Sequence, residues 1–373
     1  MKLAILTITD GQNYGNRLQN YALQEVLRDM GHDVTTIRRR TFHDRTAAQR
    51  SVQGAKSLVK AVLGQDYEAP TAARRKAFDA FNRRYLTFSE TVLHDNLAPE
   101  HFARQYDRFI VGSDQVWNAQ FRIIYDDLKN HLAAFAEPRQ RIAYAASFGG
   151  DVIPEQYLPL FQQELPRFRA VSVREETGVA LAERCGAKAE IVLDPTMLLP
   201  AERWQRLARR PDFVTDEPFI ATYFLGGRTP EVLQNIERIA AGRKVWHLEK
   251  EFLARSAVAD MAAFAAAPDE FVWLLSHADC VLTDSFHAAV FSILFHRPFC
   301  VFLRAPRDKM PDMSTRMKTL LGQFGLENHL FRSDETDAFS EDYDADAVER
   351  TLRQARARSL RFLTEALAPD PHE

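Results

Sequence analysis

The sequence has 373 residues, a length that predicts about two domains at the usual ~150 residues each. Hydrophobic residues make up 46% and charged residues 27%, which is typical of a globular protein and excludes disorder of the chain as a whole. Lys and Arg number 48 against 51 Asp and Glu, and the resulting net charge of −3 argues against nucleic acid as a partner.

Cysteine usage and hydropathy indicate where the protein works. The three cysteines, Cys185, Cys280 and Cys300, are widely spaced and form no CxxC pair. This pattern predicts neither a disulfide framework nor a zinc site, and it fits a cytoplasmic location. The longest apolar run, 288–295, is far shorter than the ~20 residues of a membrane span, so we expect no transmembrane segment.

Alternating strand and helix patterns in the first half predict a parallel α/β domain. A strand pattern at 2–9 reads as the first core strand rather than a signal peptide. It is followed by a loop, a helix over 18–30 and a strand at 34–37. The polar, basic stretch near 41–100 breaks this rhythm and predicts a helical insertion or arm. The alternation then returns, with strands at 108–111, 141–146, 170–173 and 189–193.

A second α/β series follows the linker PDFVTDEP at 211–218, with strands at 219–224, 244–248, 280–283 and 299–303. We therefore predict two Rossmann-like, doubly wound domains facing a cleft, formed by residues 1–210 and 211–344. A C-terminal, Arg-rich helix and tail would occupy 345–373. The basic face of this helix is expected to be solvated, with peripheral contact to an anionic membrane as the alternative. Ligands of such sheets bind beyond the carboxyl ends of the strands, so polar residues there are candidates.

The most specific local pattern is CVLTDSFHAAVFSILFHRPF, residues 280–299. An apolar strand ends at Asp284, Ser285 can cap the next helix, and His287 falls in its first turn. Free backbone N–H groups at that position form an anion site. The helix dipole favours a neutral imidazole, whereas a bound anion favours a protonated one, which suits a general acid that gains its proton with an anionic substrate. The alternative is a capping residue beside a packed histidine.

Further polar residues follow other strands. The loop GQNYGNRLQ at 11–19 can hold an anion or a sugar, or be an ordinary turn, and it lacks the GxGxxG spacing of a dinucleotide site. Arg174 can grip a carboxylate or phosphate, or pair with Glu175 or Glu176 at the surface. Asp114 can bind sugar hydroxyls, act as a base or occupy a turn. Four cations can bring positive charge to the cleft edge or be solvated: Arg304, Arg307, Lys309 and Arg316.

Taken together, these patterns resemble the polysaccharide pyruvyl transferase family. The resemblance runs through NYGNRLQNYALQ, YDRFIVGSDQVWN, RIAYAASFG, AVSVREE, IVLDPTMLL and DCVLTDSFHAAVFSILFHRPF, over most of the chain. It implies a GT-B-like fold and transfer of the pyruvyl group of phosphoenolpyruvate to sugar hydroxyls. The product would be a pyruvate ketal on a cell-surface glycan or its precursor. The partners implied are phosphoenolpyruvate and a glycan or lipid-linked sugar acceptor, with no metal and no other cofactor.

The resemblance also implies roles for individual residues. His287 is expected to protonate the donor, with Asp114 as a second catalytic residue. Donor binding is expected from Arg174, Asp284, Ser285, Arg304, Lys309 and Arg316. Acceptor binding is expected from Asn13, Gly15, Asn16 and Arg17. The chain departs from the family at Ser285, where relatives often carry arginine, and at Asn16-Arg17, where many show Gly-Asp.

Two other functions are compatible with this fold. A GT-B-type glycosyltransferase would use a nucleotide sugar, and such enzymes usually hold the ribose with a glutamate late in the helix that corresponds to 285–298. That stretch contains no carboxylate. A non-catalytic, glycan-binding relative would have kept the fold and lost the reaction.

Overall fold

The structure is a computed structural model that describes residues 1–9, 11–39, 68–93, 98, 100–226, 228–249, 258–304, 314–331 and 344–369. Residues 40–67, in the first half of the predicted insertion, lie outside the described residues, as do 94–97, 99, Arg307 and Lys309. The described strands form two separate sheets, in which every strand pair is parallel.

The first sheet has seven strands: β1 (Lys2–Leu6), β2 (Asp33–Arg39), β3 (Phe88–Leu93), β4 (Arg108–Val111), β5 (Arg141–Ala146), β6 (Ala170–Val173) and β7 (Glu190–Ile191). Their order is β3-β2-β1-β4-β5-β6-β7, so the winding direction changes between β1 and β4. Leu3 and Ile5 pack in one apolar cluster, whereas Ala4 and Leu6 pack in another. β1 is therefore buried on both faces, as a doubly wound sheet requires.

Eight helices are described in this half of the chain: α1 (Tyr14–Asp29), α2 (Glu68–Tyr85), α3 (Arg122–Tyr125), α4 (Leu128–His131), α5 (Leu158–Glu164), α6 (Glu176–Arg184), α7 (Pro195–Leu198) and α8 (Ala201–Leu207). α1 begins after Asn13, whose side-chain oxygen accepts a hydrogen bond from the Asn16 amide and satisfies one of the free N–H groups of the helix start.

The second sheet has four strands: β8 (Phe219–Tyr223), β9 (Lys244–His247), β10 (Cys280–Thr283) and β11 (Phe299–Val301). Their order is β11-β10-β8-β9. The helices after the linker are α9 (Pro230–Ala240), α10 (Val258–Phe264), α11 (Pro268–His277), α12 (Phe286–Leu294), α13 (Thr315–Phe324) and α14 (Ala345–Ala366). Two parallel sheets with their own helices confirm the predicted α/β class and its Rossmann-like repeats.

The stretch predicted as a helical insertion differs from that prediction in its second half. Residues 88–93 form β3, which pairs with β2 at the sheet edge, so 68–93 continue the strand–helix–strand series. The polar residues Glu90 and Thr91 are exposed there, because an edge strand needs only part of its surface buried. α2 is not a solvated arm, since Phe78 and Phe81 are buried in the core.

Residues that follow strands of the two sheets lie close together, since His287, after β10, is 3.6 Å from Asp194, after β7. Between the domains, Tyr14 of α1 stacks on Phe271 of α11 with ring centroids 4.1 Å apart. Trp204 of α8 meets Phe291 of α12 edge-on at 4.9 Å. One continuous apolar cluster contains all four rings. This arrangement is the GT-B-like fold that the sequence predicts.

The C-terminal helix α14 contacts α7 of the first domain and α13 of the second. The amide of Leu193 donates to the Ser359 hydroxyl at 2.9 Å, and Arg169 Nε donates to the Ala366 carbonyl at 3.0 Å. α14 is therefore integrated into the first domain although it follows the second in sequence. Its exposed residues include Arg350, Arg353, Arg358 and Arg361. Across the described ranges, no helix combines the length and apolarity needed to cross a bilayer.

Candidate functional site

His287 occupies the first turn of α12, directly after the turn that leaves β10. The residue is only 6% exposed. Its Nδ1 side is packed so closely on Gly15 of α1 that a Cβ added to this glycine would lie 2.0 Å from Nδ1. Its Nε2 lies 3.6 Å from Asp194 Oδ2 and has no hydrogen-bond partner among the described residues. The imidazole is therefore held between the two domains, with one nitrogen beside a carboxylate.

Asp194 follows β7 and caps α7, and its carboxylate is fully engaged. Oδ1 accepts hydrogen bonds from the amide and the hydroxyl of Thr196, at 3.0 and 2.7 Å. Oδ2 accepts from Arg174 Nη1 at 2.9 Å and from the Ser113 hydroxyl at 3.1 Å. Burial alone would raise the pKa of Asp194, but the charges of His287 and Arg174 and these hydrogen bonds hold it well below its usual range. Asp194 is thus an ionised carboxylate at neutral pH.

Arg174, at the carboxyl end of β6, is the cation of this carboxylate cluster. Its Nη1 donates to Asp194, as described above. Its Nη2 donates to Asp114 Oδ1 at 2.9 Å, and its Nε lies 3.8 Å from Glu175 Oε2. The Phe286 ring covers the guanidinium, with Cζ 4.6 Å from the ring centroid. Burial opposes the charge, but the three carboxylates outweigh it and raise the pKa of Arg174. Arg174 is therefore a buried ion-pair hub rather than a surface partner of Glu175.

The structure brings Arg174 and His287 together through a shared acid. Both contact the same oxygen, Asp194 Oδ2. The predicted pair thus lies on two sides of one carboxylate, and Asp114 lies on the far side of Arg174. Arg174 lies between the carboxylates of Asp114 and Asp194, and opposite charges this close stabilise one another in a medium of low dielectric.

A ring of side-chain hydrogen bonds fixes the loops that follow β1 and β4. Gln19 Nε2 donates to the Thr7 hydroxyl at 2.9 Å, and that hydroxyl donates to the Ser113 carbonyl at 3.0 Å. The Ser113 amide in turn donates to Gln19 Oε1 at 3.2 Å. Asp114, the next residue, has a left-handed backbone with φ of 72°. The ring therefore positions the loop that presents Asp114 to Arg174.

Arg316, brought by α13, is a buried cation at the same site. It is 6% exposed and forms no hydrogen bond or ion pair with any described residue, and its Nε is buried without a partner. Burial lowers the pKa of Arg316 to about 9, the charges of Arg174 and Arg304 add to this, and the carboxylates of Glu175 and Asp114 oppose it. An unpaired buried cation is costly, and a bound anion would remove that cost.

The turn after β10 organises its surroundings through Asp284. Its Oδ1 accepts from the Leu225 amide and its Oδ2 from the Gly226 amide, both at 2.7 Å. Arg304 Nε also donates to Oδ2, at 3.1 Å, and the Arg304 side chain is 26% exposed. Ser285 is buried and its hydroxyl makes no capping hydrogen bond. Asp284 therefore fixes the loop after β8 and the direction of Arg304.

The predicted acceptor residues lie at the start of α1. Gly15 contacts His287, and Asn13 caps the helix. Arg17 is buried, and its Nη2 donates to the Gly11 carbonyl at 2.8 Å, which closes the loop on itself. Asn16 is half-buried. This segment therefore forms the wall of the site opposite α12.

A family model described as polysaccharide pyruvyl transferase matches residues 13–306, which is most of the chain. The chain belongs to the polysaccharide pyruvyl transferase family. The match includes His287, Asp194, Arg174 and Asp114, whereas Arg316 lies beyond its end. No curated protein matches the sequence.

Several solved structures are similar to this pyruvyl transferase family member at low identity. UDP-GlcNAc 2-epimerase from Methanocaldococcus jannaschii is 11% identical with a TM-score of 0.46, covering 95% of this chain and 99% of that one. UDP-GlcNAc 2-epimerase from Neisseria meningitidis, bound to UDP-GlcNAc, is 10% identical with a TM-score of 0.44, covering 100% and 96%. ADP-heptose LPS heptosyltransferase II from E. coli is 12% identical with a TM-score of 0.40, covering 98% and 99%.

Asp194 is the main site residue of this transferase family member that sequence reasoning missed. The signal was present, because an Asp-Pro pair begins three residues beyond the end of the strand next to the one that carries Arg174. The same rule that selected Arg174, a polar residue at a strand end, selects Asp194 as well. In the part of the chain that the structure describes, no three His, Cys, Asp or Glu side chains are grouped so as to bind a metal ion.

Proposed function

We propose that this protein transfers the pyruvyl group of phosphoenolpyruvate to sugar hydroxyls and forms a pyruvate ketal. One observation carries the proposal: four buried polar atoms without a hydrogen-bond partner among the described residues belong to one electrostatically coupled cluster. They are Arg174 Nε, Glu175 Oε2, His287 Nε2 and Arg316 Nε. Phosphoenolpyruvate has groups that match these atoms. Its carboxylate and phosphate can accept hydrogen bonds from the arginines, and its methylene carbon can accept a proton from His287.

The donor is held mainly by Arg316 and Arg304. Arg316 has a positive charge that no described ion pair uses, and Arg304 lies at the same edge, directed by Asp284. Arg174 has both terminal nitrogens on carboxylates, so we assign it to organising Asp114 and Asp194, with only its Nε directed to the donor. Fixed cations of this kind stabilise the two anionic groups of the donor and the charge that develops on the leaving phosphate.

His287 acts as the general acid. It delivers a proton to the methylene carbon of phosphoenolpyruvate, which becomes a methyl group and leaves a cation at C2. The ionised Asp194, 3.6 Å from Nε2, stabilises the imidazolium before this transfer. Gly15 confines the other side of the ring, so the acid has little freedom to turn away.

The acceptor is a glycan or a lipid-linked sugar that enters along the start of α1. One hydroxyl adds to C2 and loses its proton to Asp114. The C2–O bond to phosphate then breaks with its electron pair on the phosphate, and the second hydroxyl adds to C2, closes the ketal and gives its proton to the departing phosphate. Asn13, Asn16 and Arg17 line this side and are proposed to orient the sugar. Holding two hydroxyls beside a reactive carbon replaces an encounter in solution with a positioned one, which accounts for a large part of such catalysis.

Phosphate release from phosphoenolpyruvate against a panel of glycans tests the proposal. In D2O, the product methyl should carry one deuterium, because the acid supplies one solvent-derived proton to a CH2 carbon. His287→Gln should abolish turnover and leave calorimetric binding of phosphoenolpyruvate within about threefold. His296→Gln is a matched control, since His296 lies just beyond the same helix and its side chain is 38% exposed.

Two outcomes would replace the proposal with its alternatives. Stabilisation by a nucleoside diphosphate with none by phosphoenolpyruvate would favour a nucleotide-sugar glycosyltransferase. Binding of a glycan without turnover of either donor would favour a non-catalytic relative. Absence of calorimetric binding to phosphoenolpyruvate by itself contradicts the proposed reaction.

A further inference from the structure

α2 carries one buried arginine, Arg74, that faces the other domain. The residue is 4% exposed. Its Nη2 donates to the Gln12 carbonyl at 2.9 Å, and its Nη1 donates to the Tyr14 hydroxyl at 2.9 Å. Nη1 also reaches two carbonyls of the second domain, those of Leu248, after β9, and Phe264, at the end of α10. Arg74 thus joins the loop before α1 to the domain that contains His287.

The partners of Arg74 within the described residues are all neutral. It forms no ion pair there, and its guanidinium instead lies near three aromatic rings, with Cζ 4.3 Å from the centroid of Tyr14, 4.7 Å from Phe264 and 5.1 Å from Phe78. A buried cation without a carboxylate is stable only if its donors are satisfied. Two of its acceptors come from each domain, so this condition is met only when the domains are together.

Arg74 acts on the site through Tyr14. The Tyr14 hydroxyl, which accepts from Arg74, donates to the Ala266 carbonyl of the second domain at 2.8 Å, and its ring stacks on Phe271. Tyr14 is the first residue of α1, and the next residue, Gly15, is the one packed on His287. A shift of Tyr14 would therefore move the wall that confines the imidazole.

We infer that Arg74 is a positioning residue that holds the first turn of α1 against the second domain and thereby sets the placement of His287. Only a guanidinium has the fork of five donors that can serve acceptors on two loops at once. A lysine has three donors around a single nitrogen and would satisfy part of the set. The expected effect of Arg74 on kcat rests on the proposed function, whereas its ordering of residues 12–16 does not.

Three variants test this inference: Arg74→Met, Arg74→Lys and the control Arg75→Met. Arg75 neighbours Arg74 on α2 but is exposed. Hydrogen exchange should become about tenfold faster or more at 12–16 and 264–266 in Arg74→Met, and remain unchanged in β5 and β6. In assays of phosphate release, Arg74→Met should lower kcat about 100-fold, because a displacement of the His287 imidazole by about 1 Å has an effect of this size on the rate. Its KM for phosphoenolpyruvate should stay within about threefold of the wild-type value. Arg74→Lys should be intermediate in both.

The outcomes separate positioning from general stability. Uniformly faster exchange through both sheets in Arg74→Met, with Arg74→Lys unchanged in kcat, would make Arg74 an ordinary core residue and overturn the inference. Unaltered exchange at 12–16 in both variants would also overturn it. If no form of the protein releases phosphate, the proposed reaction fails, and local exchange at 12–16 then decides the role of Arg74 by itself.

Discussion

Replacing Gly15 by alanine tests the contact between α1 and His287. The added Cβ would lie 2.0 Å from Nδ1 and 2.5 Å from Cγ of the imidazole, whereas an unstrained contact needs about 3.5 Å. The three nearest atoms all belong to His287. Gly15 does not have a positive φ, so alanine suits the backbone and the nearest clash is with the imidazole.

The imidazole must therefore retreat by roughly 1.5 Å, or the start of α1 must move by a similar amount. The ring cannot turn freely, because it is buried and lies beside Asp194. A displacement of this size at a reacting group lowers kcat by about 100-fold. Overpacking costs about 1–3 kcal/mol of stability, and the better helix propensity of alanine offsets up to ~1 kcal/mol of it.

Phosphate release and urea unfolding measure the two effects separately. Gly322→Ala is the matched control, because Gly322 is also helical and its nearest neighbour to an added Cβ is 3.6 Å away. The control should keep wild-type kcat and gain about 0.5–1 kcal/mol of stability. Wild-type kcat in Gly15→Ala would refute the conclusion that the imidazole is confined by α1.

Three further outcomes are expected. Asp194→Asn should lower the free energy of unfolding at pH 7 by about 3–5 kcal/mol, because buried Arg174 loses a partner. Since the folded-state pKa of Asp194 is depressed, this stabilisation is present above the ordinary carboxyl pKa of ~4 and is lost below it, so urea unfolding of wild type and variant should converge in acid. Arg316→Met should raise stability without donor, because folding lowers the pKa of Arg316 to about 9 and the charged form is penalised below that pH. Its calorimetric affinity for phosphoenolpyruvate should fall about tenfold or more, whereas the exposed Arg353→Met should match wild type. The three cysteines are free and buried, so a thiol reagent should label them only after unfolding.

Sequence patterns predicted candidate residues that the structure brings together, because parallel sheets present their carboxyl ends at one edge. Arg174, Asp114 and His287 each lie within four residues of the end of an apolar strand, and a doubly wound topology brings such positions together. The patterns could not identify the partners of Arg174. Its hydrogen-bonded acids are 60 and 20 residues away, whereas Glu175, the neighbour in sequence, is more distant from the guanidinium.

The role of individual arginines was also beyond sequence reasoning. Arg304 and Arg316 follow the same strand, and the sequence gives no reason to treat them differently. In the structure Arg304 pairs with Asp284, whereas Arg316 is buried without an ion pair to a described residue. Arg74 lies in a basic run, Arg74-Arg75-Lys76, that is part of the predicted helical insertion or arm. Burial of one member depends on contacts with α10 and α11, which come from distant parts of the chain.

The placement of α14 constrains how the protein can be made. A helix that is synthesised after both sheets supplies the hydroxyl that binds the Leu193 amide and the carbonyl that receives Arg169, both in the half that is synthesised earlier. The early half therefore emerges with an uncovered apolar surface until residues 345–366 have been made. Nascent chains of this protein should consequently depend on chaperones until α14 has emerged, and a fragment that stops before residue 345 should aggregate.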